Sequence, residues 1–379
     1  MSTVESEGSV GSDGTGYVGP DLRVAETAVP GSGDVRRVPP PSFAHLLRLT
    51  DDTGVFEHAQ GSIPKRWHGY CVDDVSRALI VVCREPNPDP PLIAAAETYL
   101  AFLIHAQHDA AGFHNRLGVN RVWQDEPATL DWWGRALWAL GTAAGHAPTP
   151  GMRAVALAGF ETGATQRSVA VRAMVFAALG AAEVLAAEPG HKAAREILAD
   201  TAAVIGRPAA DPAWVWPQDK LSYANAALAE VLIAAGHLGG DARILEDGLR
   251  ALAWLLASET AADGHFAPTP NTGWVRGEPR GVFDQQPIEA AAMADACTRA
   301  YAVTGDPGWM AGVRRAAFWF LGDNDLRLPL LDSSTGGCCD GLGRRGRNPN
   351  QGAESTIALI STLQRARRWE RAEPGAGRP

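Results

Sequence analysis

Five short stretches of the sequence carry more carboxylates and amides than their local structure needs. They are Gly69-Tyr70-Cys71-Val72-Asp73-Asp74 with Arg77 a turn later, Asp131-Trp132-Trp133-Gly134-Arg135, Gln218-Asp219 followed by Tyr223 and Asn225, Asp284-Gln285-Gln286-Pro287-Ile288-Glu289, and Asn350-Gln351-Gly352-Ala353-Glu354-Ser355. A single Asp, Asn or Glu at such a place is an ordinary helix cap, and Pro287 suits a first helical position. Caps need one acceptor each, however, and these stretches supply several. If they converge, they suit general acid–base work on a glycosidic bond: one protonated carboxyl donates to the leaving oxygen while a second carboxylate activates water. Asp74 and Glu354 are the first-choice catalytic pair, with Asp284 and Glu289 in reserve. Asp73, Asp131, Arg135, Asp219, Tyr223, Asn225, Gln285 and Gln286 would hold sugar hydroxyls.

Twelve tryptophans against five tyrosines is an unusual balance. Trp138, Trp254 and Trp319 fall inside helical patterns and belong to the core. Trp67, Trp123, Trp214, Trp216 and Trp274 fall in long loops, and Trp132 and Trp133 at a helix start. Indoles beside carboxylates can stack on the apolar face of a sugar, so Trp216 and Trp274 are expected to bind substrate; packing loops over a rim is the equally good alternative. His68, His114 and His265 lack ligand spacing, which argues against a metal site, and no dinucleotide, phosphate-loop or nucleophile-elbow motif points to a cofactor. Arg276 with Arg280, and Arg344-Arg345-Gly346-Arg347, could bind phosphate or a sugar acid; for the second group solvated loop charge is the plainer account.

The elements that must position these residues show a repeating pattern. Six segments, about 71–85, 129–144, 166–187, 222–237, 286–303 and 352–366, are apolar almost all round and rich in Ala and Gly, as buried inner helices are. Six amphipathic segments, about 42–49, 91–107, 151–161, 190–205, 241–257 and 307–321, alternate with them as outer helices. Inner helices pass to the next outer helix through tight turns such as Pro86-Asn87-Pro88 and Gly305-Asp306-Pro307. The returns are long: 50–70, 108–128, 206–221, 258–285 and 322–351. Such loops are usually functional, and all open on the N-terminal ends of inner helices, where the helix dipoles favour negative charge. The expected fold is therefore all-α, an (α/α)6 toroid of six helical hairpins in one domain over 41–367. Residues 1–40 read as a disordered extension and 368–379 as a disordered tail, with the stretch from Arg365 frayed and solvated.

A net charge of −9 and a pI near 5.6, without basic clusters among aromatics, make nucleic acid an unlikely partner. No apolar run of membrane-spanning length and no secretory leader pattern occurs, so no membrane association is expected. Five cysteines, odd in number and without a paired spacing, fit a reducing cytoplasm better than a disulfide framework.

The chain resembles the six-hairpin glycosidase-like proteins. More narrowly, it is similar to a bacterial helical-barrel family found alone or attached to glycosyltransferase domains. The stretches that carry the resemblance are His45–Gly54, Gly69–Asp74, Gly134–Gly141, Phe283–Ala290 and Asn350–Thr356. It implies a carbohydrate-active barrel with an oligosaccharide or glycoside substrate, working alone or with a glycosyltransferase partner. The chain departs from that family at Ser222-Tyr223-Ala224-Asn225, where relatives carry an acidic residue beside the asparagine, and at Trp132-Trp133, where they carry polar residues. The leading expectation is glycosidic cleavage by hydrolysis or phosphorolysis. A non-catalytic glycan-binding module and a sugar epimerase or isomerase are the alternatives; the latter chemistry commonly uses histidine bases, and the last two inner segments contain none.

Overall fold

The computed structural model describes residues 37–108 and 112–370, and the compact helical unit begins at Val38. The expected extension over 1–40 and the tail from 368 fall largely outside the described residues. Twelve α-helices alternate in the order read from the sequence. The outer set is α1 (Ala44–Leu49), α3 (Pro90–Ala106), α5 (Pro150–Gly163), α7 (Lys192–Ile205), α9 (Ala242–Ser258) and α11 (Gly308–Phe320). The inner set is α2 (Val72–Cys83), α4 (Asp131–His146), α6 (Val171–Ala187), α8 (Ala226–Gly239), α10 (Pro287–Thr304) and α12 (Ala353–Glu370).

Each inner helix packs on the next, and α12 packs back on α2 to close the ring. Each inner helix also carries the outer helix that follows it, and α12 carries α1. The chain is thus an (α/α)6 toroid. Outer helices start at side-chain caps, Asp89 on Leu92, Thr149 on Met152 and Asp241 on Ile244, two of them with proline at the first turn. The inner helices bury nearly every side chain, which explains why no polar face shows in their sequences.

Small residues set the spacing between inner helices. A side chain at Gly141 of α4 would fall on the Gly180 carbonyl of α6, and one at Gly134 on the carbonyl of Ala173. Close approach at that level brings Arg135 and Arg172, each adjacent to a contact residue, to one end of the ring. Strand structure among the described residues is confined to pairs of two or three residues in the long loops.

Two helix starts lie later than expected. Inner helix α6 begins at Val171 rather than 166, because Ser168 turns the chain by accepting the Ala170 N–H. Helix α8 begins at Ala226 rather than 222: the Glu289 carboxylate takes the N–H groups of Ala224 and Asn225, and Ala224 is held at φ 44°. The stretch from Arg365 is also not solvated. Arg365 pairs with the buried Asp295 at 2.5 Å and Arg367 with Glu85 at 2.9 Å. Together with Arg84–Asp295 and with Arg299 between Glu230 and Glu183, these pairs link inner helices away from the mouth. No helix among the described residues is long and apolar enough to cross a membrane, and all five cysteines are free and buried.

Candidate active site

Five of the inner helices, and the turn that leads into α8, deliver a polar side chain to one end of the ring. From α2, Arg77 donates from Nη1 to Asp74 Oδ1 at 2.7 Å and places Nη2 2.9 Å from Glu354 Oε2, at the start of α12. Asp74 also accepts from the Cys71 thiol at 3.2 Å. On the other side of α2, Asp73 lies 3.9 Å from Arg135 Nε of α4. Asp131, the first residue of α4, accepts a short hydrogen bond from the Tyr223 hydroxyl. Arg172 of α6 lies 5.5 Å from the Tyr223 ring and donates to Ser222 Oγ and Asn225 Oδ1 at 2.9 and 3.0 Å. Asn225 Nδ2 in turn donates to Glu289 of α10 at 3.3 Å. Carboxylates and guanidiniums therefore alternate around the mouth.

Burial tunes these groups differently. Asp74 is 3 % exposed, and burial, opposed by Arg77 and helped by the nearby Glu354 and Glu57 carboxylates, pushes it up to about 7. Glu289 is also enclosed, and burial pushes it to about 8, although the Ala224 and Asn225 N–H groups hold it back. Burial, then the neighbouring Asp73, raises Asp131. Glu354 differs from all of these, because its side chain is 40 % exposed. Below the mouth an axial cavity of about 50 Å³ runs between Arg135, Trp138, Phe176 and Glu354, and apolar side chains line its middle.

The sequence expectations divide accordingly. Asp73, Asp74, Asp131, Arg135, Tyr223, Asn225, Glu289 and Glu354 gather at the mouth. Asp74 is sealed, however, with both oxygens occupied, and so it sets Arg77 rather than meeting a substrate. Asn225 is fully enclosed, which makes it a positioning residue rather than a holder of hydroxyls. The reserve pair does not form: Glu289 points at the 224–225 backbone, whereas Asp284 is exposed in a separate loop cleft with Gln286, Asp340 and Arg345. Gln285 is buried and bonds Val282 O, Asp325 and the Trp319 indole, which leaves its amide engaged within the fold. Asp219 is 89 % exposed and faces Arg276.

Trp216 and Trp274 are corrections as well. They join Trp214 in a cluster on Trp254 of the outer helix α9, and Trp216 is 1 % exposed. The Trp214 and Trp274 indoles donate to the carbonyls of Gln218 and Glu278 at 2.8 and 2.7 Å, so these loops pack on the rim. The aromatic rings at the axial cavity are instead Trp138 and Phe176. Arg77 was visible in the motif but unassigned, and Arg172 was missed. Its signal was a single arginine in an otherwise apolar inner helix, Val171-Arg172-Ala173-Met174-Val175-Phe176.

Among the described residues one group has the ligand spacing for a metal ion: atoms of Glu57, Cys71 and Asp74 lie within 4.8 Å of one another. Its donors are already engaged. Arg116 holds both Glu57 oxygens at 2.5 and 2.9 Å, Arg77 holds Asp74, and burial keeps the Cys71 thiol protonated.

No protein-family model and no curated protein matches the sequence. Solved structures do match the fold. A sugar epimerase from a ruminal bacterium superposes with a TM-score of 0.63 at 13% identity, over 86% of this chain and 95% of that one. Cellobiose 2-epimerase from Spirochaeta thermophila gives 0.62 at 12%, over 86% and 94%. An α-mannanase from Bacteroides thetaiotaomicron gives 0.55 at 11%, over 80% and 87%. At such identities the likeness is one of fold, and the chain shares the (α/α)6 barrel of these carbohydrate-active proteins.

Proposed function

We propose that the protein cleaves a glycosidic bond at the open end of the ring, with Glu354 and Asp131 dividing the base and acid roles. The observation that carries this reading is a half-open Glu354, fixed by Arg77, with Asp131, whose carboxyl burial pushes above the ordinary range, on the far side of α2. Asp131 passes its proton to the departing glycosidic oxygen. Glu354 takes a proton from the attacking water as the hydroxide joins the anomeric carbon, or attacks that carbon itself; the carboxyl separation in the substrate complex decides which. Phosphate in place of water would give phosphorolysis. Asp73 and Arg135 border the substrate, while Asp74, Asn225 and Glu289 keep Arg77, Arg172 and the 222–225 turn in place.

Known proteins of this fold include epimerases and an isomerase as well as glycosidases. Two proton-transfer groups flanking one sugar also suit epimerisation, but no histidine lines the axial cavity. The deciding experiment is a screen of oligosaccharides and aryl glycosides, with and without phosphate. Released sugar with a bell-shaped pH profile supports cleavage. An epimer of the intact sugar transfers the reading to isomerase chemistry, and binding without any turnover to a glycan-binding module, alone or serving a glycosyltransferase.

A further inference from the structure

We infer that the ligand of this mouth carries an oxyanion, a carboxylate or phosphate on the sugar, which seats against Arg135 and Arg172. The inference rests on the carbohydrate reading above and narrows it to acidic sugars.

The carrying observation is a set of buried guanidinium nitrogens without partners. Arg135 is 3 % exposed, lines the axial cavity, and has no hydrogen-bond partner for Nε or Nη2. Its closest carboxylate stands at 3.9 Å, beyond hydrogen-bond reach, and the Phe176 ring lies flat against it at 3.6 Å. Arg172 is 8 % exposed and spends one nitrogen on Ser222 and Asn225, leaving Nε and Nη1 unpartnered. A buried charged donor without an acceptor is costly, and native structures rarely tolerate one without a use for it. Burial depresses both, Arg135 to about 9 and Arg172 to about 10, in keeping with nitrogens that lack acceptors. A planar guanidinium fork is the preferred partner of a carboxylate or phosphate.

The carboxylates of the mouth do not cancel this attraction. Asp74, Glu289 and Asp131 are all shifted toward the protonated form. The guanidiniums of Arg77 and Arg135 stand among them, and Arg172 lies beside the 222–225 turn. Size points the same way. A water needs roughly 10–15 Å³ of such space, so the cavity of about 50 Å³, which Arg135 lines and Arg172 does not, admits a group the size of a few waters beside Arg135. A carboxylate or phosphate is such a group and a pyranose ring is not. The sugar would lie across the mouth with its charged substituent directed inward.

The test is calorimetric titration of the full chain with glucuronate, glucose 6-phosphate, glucose and inorganic phosphate, at low and high salt. Either acidic sugar should bind roughly ten- to a hundredfold more tightly than glucose, with the gap narrowing as salt rises; which acid binds better identifies the oxyanion. Arg135→Gln and Arg172→Gln should lose that preference, whereas Arg345→Gln, in the separate loop cleft, should keep it. Glucose binding as tightly as both acids, or a preference abolished by Arg345→Gln instead, overturns the inference. The wild-type comparison decides even if a buried variant fails to fold. Cleavage of neutral glycans alone would leave the proposed reaction standing and remove this inference. Salt-sensitive binding of an acidic sugar without bond cleavage would do the reverse.

Discussion

Asp74 and Glu354, from the first and last inner helices, hold the two sides of one guanidinium: Arg77 bonds Asp74 at 2.7 Å and reaches Glu354 at 2.9 Å. The bridge is one of the contacts that close the toroid, beside Gln364 on the Val81 carbonyl and Arg367 on Glu85. The bridge also separates the two carboxylates by role, because one is sealed beneath it and the other stays open to the mouth.

Substituting Glu354 by Gln should lower turnover by about 10²- to 10⁴-fold while leaving sugar affinity within a few-fold. The amide preserves shape and one acceptor for Arg77 but cannot take a proton. Steady-state kinetics on any glycoside found in the screen, with calorimetry of the same ligand, checks it. Near wild-type turnover would remove Glu354 from the chemistry.

Stability should fall as pH rises from about 5 to about 8. Asp74 and Glu289 have folded pKa values of about 7 and about 8, above their unfolded values of 3.8 and 4.5. The folded state therefore binds more protons in that window, and deprotonating it is uphill. For Asp74 the shift of about three units corresponds to on the order of 4 kcal/mol. Asp74→Asn keeps an acceptor for Arg77 and should flatten the dependence. Urea midpoints across the window report it, and an unchanged slope in the variant would show that Asp74 is not the titrating group.

The inner–outer alternation was legible because it is written in periodicity, and the long loops mark the end of the ring where the inner-helix carboxylates gather. The inner-helix carboxylates were legible too, since a polar residue at the start of an apolar helix is conspicuous. What periodicity does not carry is direction. Asp73 and Asp74 are adjacent letters, yet one faces Arg135 and the other is enclosed beneath Cys71 and Arg77. The loop tryptophans misled for the same reason. A sequence places Trp216 and Trp274 in loops over the mouth, and only the fold reveals that Trp254 on α9 draws them to the rim.

Gly141→Ala should destabilise the protein by about 1–3 kcal/mol, the cost of overpacking a tight contact. The added methyl would meet the Gly180 carbonyl of α6, which is backbone and cannot rotate aside. Gly145→Ala is the matched control one turn later. Its nearest neighbour would be 3.9 Å away, so the substitution should be neutral or stabilise by about 0.5–1 kcal/mol through helix propensity. Thermal melts of the pair check the contrast, and equal melting temperatures would mean that α4 and α6 do not touch at this level.

Tyr223→Phe tests the acid. The hydroxyl donates to Asp131 and so favours its ionised form; without it, burial and the Asp73 charge should raise Asp131 further. In a bell-shaped profile the alkaline limb reports loss of the acid's proton, so that limb should move to higher pH in the variant while the acidic limb stays in place. Maximal turnover should change less than with Asp131→Asn, which removes the proton donor itself. If Tyr223→Phe leaves both limbs where they were and Asp131→Asn keeps its turnover, the acid lies elsewhere. Asp73, the other carboxylate beside Arg135, would then be the group to test.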